Sequence, residues 1–242
     1  MEHGAVPQWE RRKHAMTRKY YRVDGGGGAR ANRAQGWRMP QPAASCSHLY
    51  YRPMTDEHLR EIPVERRVLH RGRYLTFCID TVRDPDGRIH TRDVVDHPGA
   101  VAVVALDGAD VLLVRQFRHA AGRALLEIPA GTRDRLDDGT LEAPDLTARR
   151  ELAEETGFHA GSWRHLGAFW TAPGFASEEM HLFLARDLTP VLGHAPDPDE
   201  RLELVRMPWR EAIARADRGE IEDAKSLVGL YRLARLADGG EL

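Results

Sequence analysis

Arg150-Glu151-Leu152-Ala153-Glu154-Glu155-Thr156-Gly157-Phe158 is the stretch on which the reading of this chain turns. Three of its residues are glutamates crowded within five positions, and on a helix Glu151 and Glu155 fall one turn apart on the same face. Like charges at that spacing repel by about 0.2–0.5 kcal/mol, so the pattern asks for a compensating cation. One candidate is local: Arg149 and Arg150 can pair with the glutamates on a solvated face, the usual meaning of a helical charge run. The other is a hard metal ion, with Glu151 and Glu155 aimed at one Mg²⁺ and Glu154 beside them for a second ion. Pro144 and Asp145 suit the first turn of this helix, and Gly157 suits its C-terminal cap.

Working outward, the upstream apolar runs Ala100 to Leu106 and Val111 to Val114 are separated by Asp107-Gly108-Ala109-Asp110. They read as two buried strands joined by a turn. Earlier still, alternation sets in from Val68. Strands Tyr74 to Val82 and Ile89 to Asp96 flank the turn Asp84-Pro85-Asp86-Gly87, which gives an antiparallel N-terminal sheet. Downstream, strand patterns recur at Met180 to Ala185 and Leu202 to Met207, and helical ones at Trp209 to Asp217 and Ala224 to Leu236. The sum is an α+β sandwich with a mixed or antiparallel central sheet.

Residues 1–53 carry ten Lys or Arg against three acidic residues and the run Gly25 to Gly28, without apolar periodicity. That composition predicts a disordered basic tail. Because Met54 opens a segment that reads as the start of a folded domain, the tail is also a candidate translation-start artefact. The 242 residues have a formal net charge of -2 and 42% hydrophobic content, enough for an ordinary core. This balance offers no global attraction to nucleic acid or to anionic membranes, so phosphate chemistry must come from a local site. Two cysteines, Cys46 and Cys78, form neither a disulfide framework nor a zinc pattern, and no stretch approaches the ~20 apolar residues of a membrane span. The expectation is a soluble, cytoplasmic protein.

The pattern Arg-Glu-aliphatic-any-Glu-Glu-any-Gly-aliphatic, met at every fixed position from Arg150 to Phe158, resembles the second half of the Nudix box. Its first half asks for a glutamate eight residues before the arginine, and Glu142 stands there. The box glycine would fall at Leu136. Gly131, in Glu127-Ile128-Pro129-Ala130-Gly131, takes its part, with five extra residues in a lengthened loop. Such an insertion costs little entropy, since doubling a loop adds only about 0.6 kcal/mol.

Within the family, His97-Pro98-Gly99-Ala100-Val101, Gln116-Phe117-Arg118 and the Glu127 to Gly131 stretch resemble the ADP-ribose pyrophosphatase group. So do Pro173, in Thr171-Ala172-Pro173-Gly174-Phe175, and Glu220-Ile221-Glu222-Asp223-Ala224-Lys225-Ser226-Leu227. The likeness runs from about Val68 to Leu236. It implies a Nudix-type α/β/α sandwich at 99–242, preceded at 54–98 by a β-rich dimerisation subdomain, in a homodimer.

The resemblance further implies hydrolysis of ADP-ribose to AMP and ribose 5-phosphate. Mg²⁺, or Mn²⁺ in its stead, would be held by Glu151, Glu155 and the backbone carbonyl of Ala130, with Glu154 supporting another ion. Glu142 and Arg150 would pair structurally, as would Gly131 and Gly157 serve the box backbone. Glu200 is the implied base or a further metal ligand, with Asp197 and Asp199 as alternatives. Arg118 is the candidate phosphate contact, because a guanidinium grips phosphate with two parallel hydrogen bonds. Pro173 and Gly174 would border the substrate. Adenine-binding residues would come from the N-terminal sheet and are not assigned. Other nucleoside diphosphate sugars are the nearest alternative substrates, and a non-catalytic ligand-sensing regulator is the alternative of another class.

Overall fold

Alternating side chains and the turn at Asp84–Gly87 build a three-stranded antiparallel sheet in the computed structural model, which describes residues 56–191 and 201–242. The expected tail 1–53, the opening Met54 and the stretch holding Asp197, Asp199 and Glu200 lie outside the described residues. The sheet comprises β1 (Ile62–Arg71), β2 (Thr76–Arg83) and β3 (Ile89–Asp96), in that order. Gly87, at φ 84°, closes the second hairpin by donating to the Asp84 carbonyl at 3.0 Å. β1 begins six residues before the alternation expected from Val68. Pro63, Glu65 and Arg66 mask its pattern, and a register irregularity lies between Pro63 and Glu65. Arg66 secures the pairing through Asp80, to which it donates at 2.8 and 2.7 Å.

The rest of the chain runs β4 (Ala100–Asp107), β5 (Asp110–Arg118), β6 (Arg123–Glu127), β7 (Ala130–Thr132), α1 (Pro144–Thr156), β8 (Phe158–Trp170) and β9 (Glu179–Pro190). It ends with β10 (Leu202–Pro208), α2 (Trp209–Asp217) and α3 (Ala224–Asp238). The main sheet has the order β10-β5-β4-β9-β8, with β6 on β5 and β7 on β4. β4 and β9 are parallel and the other pairings antiparallel, so the central sheet is mixed.

β4 is apolar throughout because both its faces are covered. Val101, Val103 and Ala105 pack on Ala148 and Leu152 of α1. Ala102, Val104 and Leu106 pack on the opposite side with Ala212 of α2 and Leu230 and Leu233 of α3. Helix, sheet and helices thus form an α/β/α sandwich, and each fully buried leucine contributes about 1.5–3 kcal/mol relative to exposure.

β8 was not evident in the sequence. Its glycines and histidines interrupt the alternation, and its place comes from pairing along β9, with an irregularity between His165 and Gly167, where Gly167 has φ 101°. α1 has the expected ends: Pro144 in the first turn and Gly157 in the left-handed conformation at φ 73°, donating to the Ala153 carbonyl. Among the described residues, no helix is long and apolar enough to cross a membrane.

Candidate active site

Thr147, Ala148, Glu151, Leu152, Glu155 and Thr156 form the buried stripe of α1. Leu152 and Ala148 lie against β4, and this packing turns Glu151 and Glu155 inward rather than into solvent. Their relative exposures are 9% and 6%, which excludes the solvated-face reading for this pair. Both line a cleft of about 590 Å³ together with Ala130, Gly131, Glu154 and Arg150. Glu154 is different, with its side chain 49% exposed at the rim.

The corner between β6 and β7 faces these carboxylates. Glu155 Oε2 accepts the Ala130 N–H at 2.8 Å, and the Pro129 carbonyl accepts Val103 N–H at 2.8 Å. Any Cβ built on Gly131 would fall inside the Glu151 carboxylate. Glycine here supplies room, not an unusual φ.

Arg150 joins helix, loop and corner. It donates to Glu142 Oε2 at 3.0 Å, to Glu151 Oε1 at 2.8 Å and to Glu154 Oε2 at 2.9 Å. Burial by itself works against its charge, but the hydrogen bond to Glu142 and the attraction of Glu151 override that and raise its pKa. The expected pairing of Glu142 with Arg150 is therefore present. The lengthened loop is tied down as well: Asp134 forms an ion pair with Arg150 at 3.3 Å, and Arg133 donates to the Glu142 carbonyl at 2.8 Å.

A second polar cluster makes another wall of the cleft. Arg118 grips Glu127 with two hydrogen bonds, at 2.8 and 2.7 Å. The same carboxylate accepts from Lys225, whose Nζ also donates to Asp223 Oδ2 at 2.9 Å. Glu127 is 1% exposed. Desolvation alone would raise its pKa, but the Arg118 hydrogen bonds and the Lys225 charge hold it below the usual carboxylate range. Removing the partners of such a group costs about 3–5 kcal/mol. Arg118 thus lines the cleft, as the phosphate assignment requires, with its guanidinium engaged by a carboxylate. Lys225, Asp223 and Glu127 were not singled out as functional side chains. The signal was there in the quoted Glu127 and Asp223 to Ser226 segments, which lie far apart in the chain and meet only through the fold.

Pro173 and Gly174 fall elsewhere, lining a separate depression of about 500 Å³ with Trp170 and Phe175. From the same loop, Glu178 does reach the carboxylate cleft. His97 stands 3.5 Å from Glu178, and burial, against the pull of that carboxylate, lowers its pKa. Gln116 also borders the cleft; its Oε1 is buried and lacks a hydrogen-bond partner among the described residues.

Among the described residues, no three His, Cys, Asp or Glu side chains converge as a metal cage. Two inward carboxylates beside a backbone corner are instead a hard-oxygen set of the size that Mg²⁺ takes, since that ion keeps waters and substrate oxygens in its shell. The donor set fits the ion.

Residues 96–228 match the family model of the NUDIX domain, and the chain belongs to that family. Relatives carry more specific names. A Bacillus subtilis protein named ADP-ribose pyrophosphatase is 36% identical over 177 residues, covering 72% of this chain and 93% of that protein. A Mycobacterium tuberculosis protein of the same name is 39% identical over 179 residues, covering 73% and 84%. A crystal structure of an ADP compounds hydrolase superposes with TM-score 0.63 at 22% identity, over 76% of this chain and 97% of the other, a likeness in fold.

Proposed function

We propose that this protein hydrolyses the pyrophosphate bond of ADP-ribose, adding one water to yield AMP and ribose 5-phosphate. One observation carries the reading: two carboxylates one helical turn apart, Glu151 and Glu155, are buried against the Ala130–Gly131 corner in a cleft. The names of the two relatives support the substrate.

Glu151, Glu155 and the Ala130 carbonyl would hold Mg²⁺, or Mn²⁺ in its place, and Glu154 at the rim would assist a further ion. When bound, the ion neutralises the clustered diphosphate oxygens and so favours attack at phosphorus. The chain's own groups do the rest. Ala130 N–H orients Glu155, while Arg150 holds Glu151 to the loop that begins at Gly131. Arg118, whose guanidinium is held by Glu127, would make a bidentate contact with a phosphate oxygen pair on turning to the substrate. Glu200 serves as base or as a further ligand from the segment between β9 and β10.

The protein acts in the cytoplasm as a homodimer, formed through the exposed sheet of residues 62–96. Ile62, Val64, Val68 and Leu69 of β1 and Phe77 of β2 are all exposed, and apolar surface gathered in this way marks an interface.

A panel of ADP-ribose and other nucleoside diphosphate sugars with Mg²⁺, run on the intact protein and Glu155→Gln, tests the reading. ADP-ribose should be turned over fastest, and the variant should lose at least about 100-fold in rate. Undiminished turnover by Glu155→Gln would reject the metal assignment; preference for another nucleotide would reject only the substrate.

A further inference from the structure

Two cations share one buried carboxylate at the wall of the cleft. Arg118 already takes both oxygens of Glu127, and Lys225 donates to Oε2 as well. The two cations are not equivalent. The Lys225 side chain is 10% exposed and is tethered to Asp223, whereas that of Arg118 is 39% exposed. Arg118 stands at the end of β5 and borders the cleft that Glu151 and Glu155 also line.

Asp223 anchors Lys225 from the start of α3. Its carboxylate caps the helix by accepting from Ser226 N–H at 3.0 Å and also accepts from Ser226 Oγ at 2.6 Å. Ser226 Oγ in turn accepts from Ile128 N–H at 2.8 Å, which fixes α3 to the residue after Glu127. Both cations line the cleft, but the lysine side of the cluster is the more deeply built in and the arginine side the more exposed.

A diphosphate entering the cleft competes with Glu127 for the Arg118 guanidinium, whose fork matches either group. Were Arg118 the only counter-ion, its departure would strand a buried charge. A lysine is a point charge with rotatable donors and can remain on Glu127 without reorienting.

We propose that Lys225 is a positioning residue that keeps Glu127 compensated, so that Arg118 is free to turn from Glu127 to the diphosphate of the substrate. This inference rests on the diphosphate reading above.

The test compares Lys225→Met, Lys225→Arg and the double variant Lys225→Met with Glu127→Gln. Two readouts are needed: calorimetric affinity for inorganic pyrophosphate, and KM and kcat with ADP-ribose. Lys225→Met should weaken pyrophosphate binding and raise KM by about tenfold or more, with kcat changed less than about threefold. Lys225→Arg should stay near the parent protein, and the double variant should recover affinity because nothing then retains Arg118. Unchanged affinity in Lys225→Met, no recovery in the double variant, or a fall in kcat at constant KM would overturn the proposal. Should Lys225→Met not fold, Glu127→Gln alone must bind pyrophosphate more tightly than the parent, and equal or weaker binding is the contrary result. Failure of the parent to hydrolyse ADP-ribose would count against the substrate reading only, since the calorimetry still decides the role of Lys225.

Discussion

β4 and β1 are both rich in branched apolar side chains, yet all of β4 except Asp107 is buried and every residue of β1 is exposed. β4 satisfies itself within the chain, covered by α1 on one face and by α2 and α3 on the other. β1 offers Ile62, Val64, Val68 and Leu69 to whatever lies outside. The contrast fits the two roles proposed above: the helix carrying the carboxylates is seated on a rigid strand, while the sheet proposed for dimerisation stays uncovered by its own chain. The carboxylates belong to the first, since α1 carries them on the same stripe that packs on β4.

Substitutions can break this comparison. The largest effect is expected in the seat of α1, where Leu152→Ala should cost about 2–5 kcal/mol in urea unfolding by opening a cavity against β4. A cost below about 0.5 kcal/mol, the level of a surface substitution, would mean that the helix is not seated as described. Gly131→Ala forces a methyl group into the Glu151 carboxylate. It should reduce turnover by about 100-fold, comparable to the loss of one oriented electrostatic group, with a smaller change in melting temperature. Near-normal turnover would show that the corner and the carboxylate do not depend on each other.

On the other sheet, Leu69→Asp should alter unfolding of the isolated chain by no more than about 0.5 kcal/mol. In sedimentation the same variant should shift from dimer to monomer, and an unchanged dimer would place the assembly surface elsewhere. The smallest effect concerns pH. His97 accepts the Gly99 N–H at Nδ1, at 2.9 Å, and its pKa is depressed by burial despite Glu178. The unfolded chain therefore binds this proton more readily. Stability conferred by the neutral ring is complete above about pH 6.5 and declines as pH falls through the window below it. Glu127 adds a separate loss at lower pH, because the contribution of its depressed carboxylate is complete above the unfolded value of about 4.3 and declines as pH falls below it. His97→Asn should flatten the stability profile between about pH 6.5 and 5, by less than about 1.4 kcal/mol per pH unit. An identical profile would remove His97 from the explanation.

What was legible in the sequence follows from how local each signal is. α1 declared both its ends and its carboxylates, because Pro144, Gly157 and the glutamate spacing act within the helix itself. β4 showed itself as an apolar run because both faces are buried. β8 stayed hidden because its glycines and histidines break the alternation, and its place is fixed by pairing with β9 across the loop 171–178. The same reason governs the site. Glu142 and Arg150 are near neighbours and were paired correctly. The union of Glu127 with Lys225 spans 98 residues and needs the finished sheet to exist. Arg118, proposed as a phosphate contact, lines the cleft, but its carboxylate partner could not be inferred from β5 alone.

On the reading proposed above, the buried pair on α1 is a site for a divalent cation. A crystal grown with Mn²⁺ and measured at the manganese absorption edge tests it most directly. An anomalous peak within about 2.5 Å of oxygens from Glu151, Glu155 and the Ala130 carbonyl is the expected result. No peak there in well-ordered density, with Arg150 alone bridging Glu151 and Glu154, would contradict it.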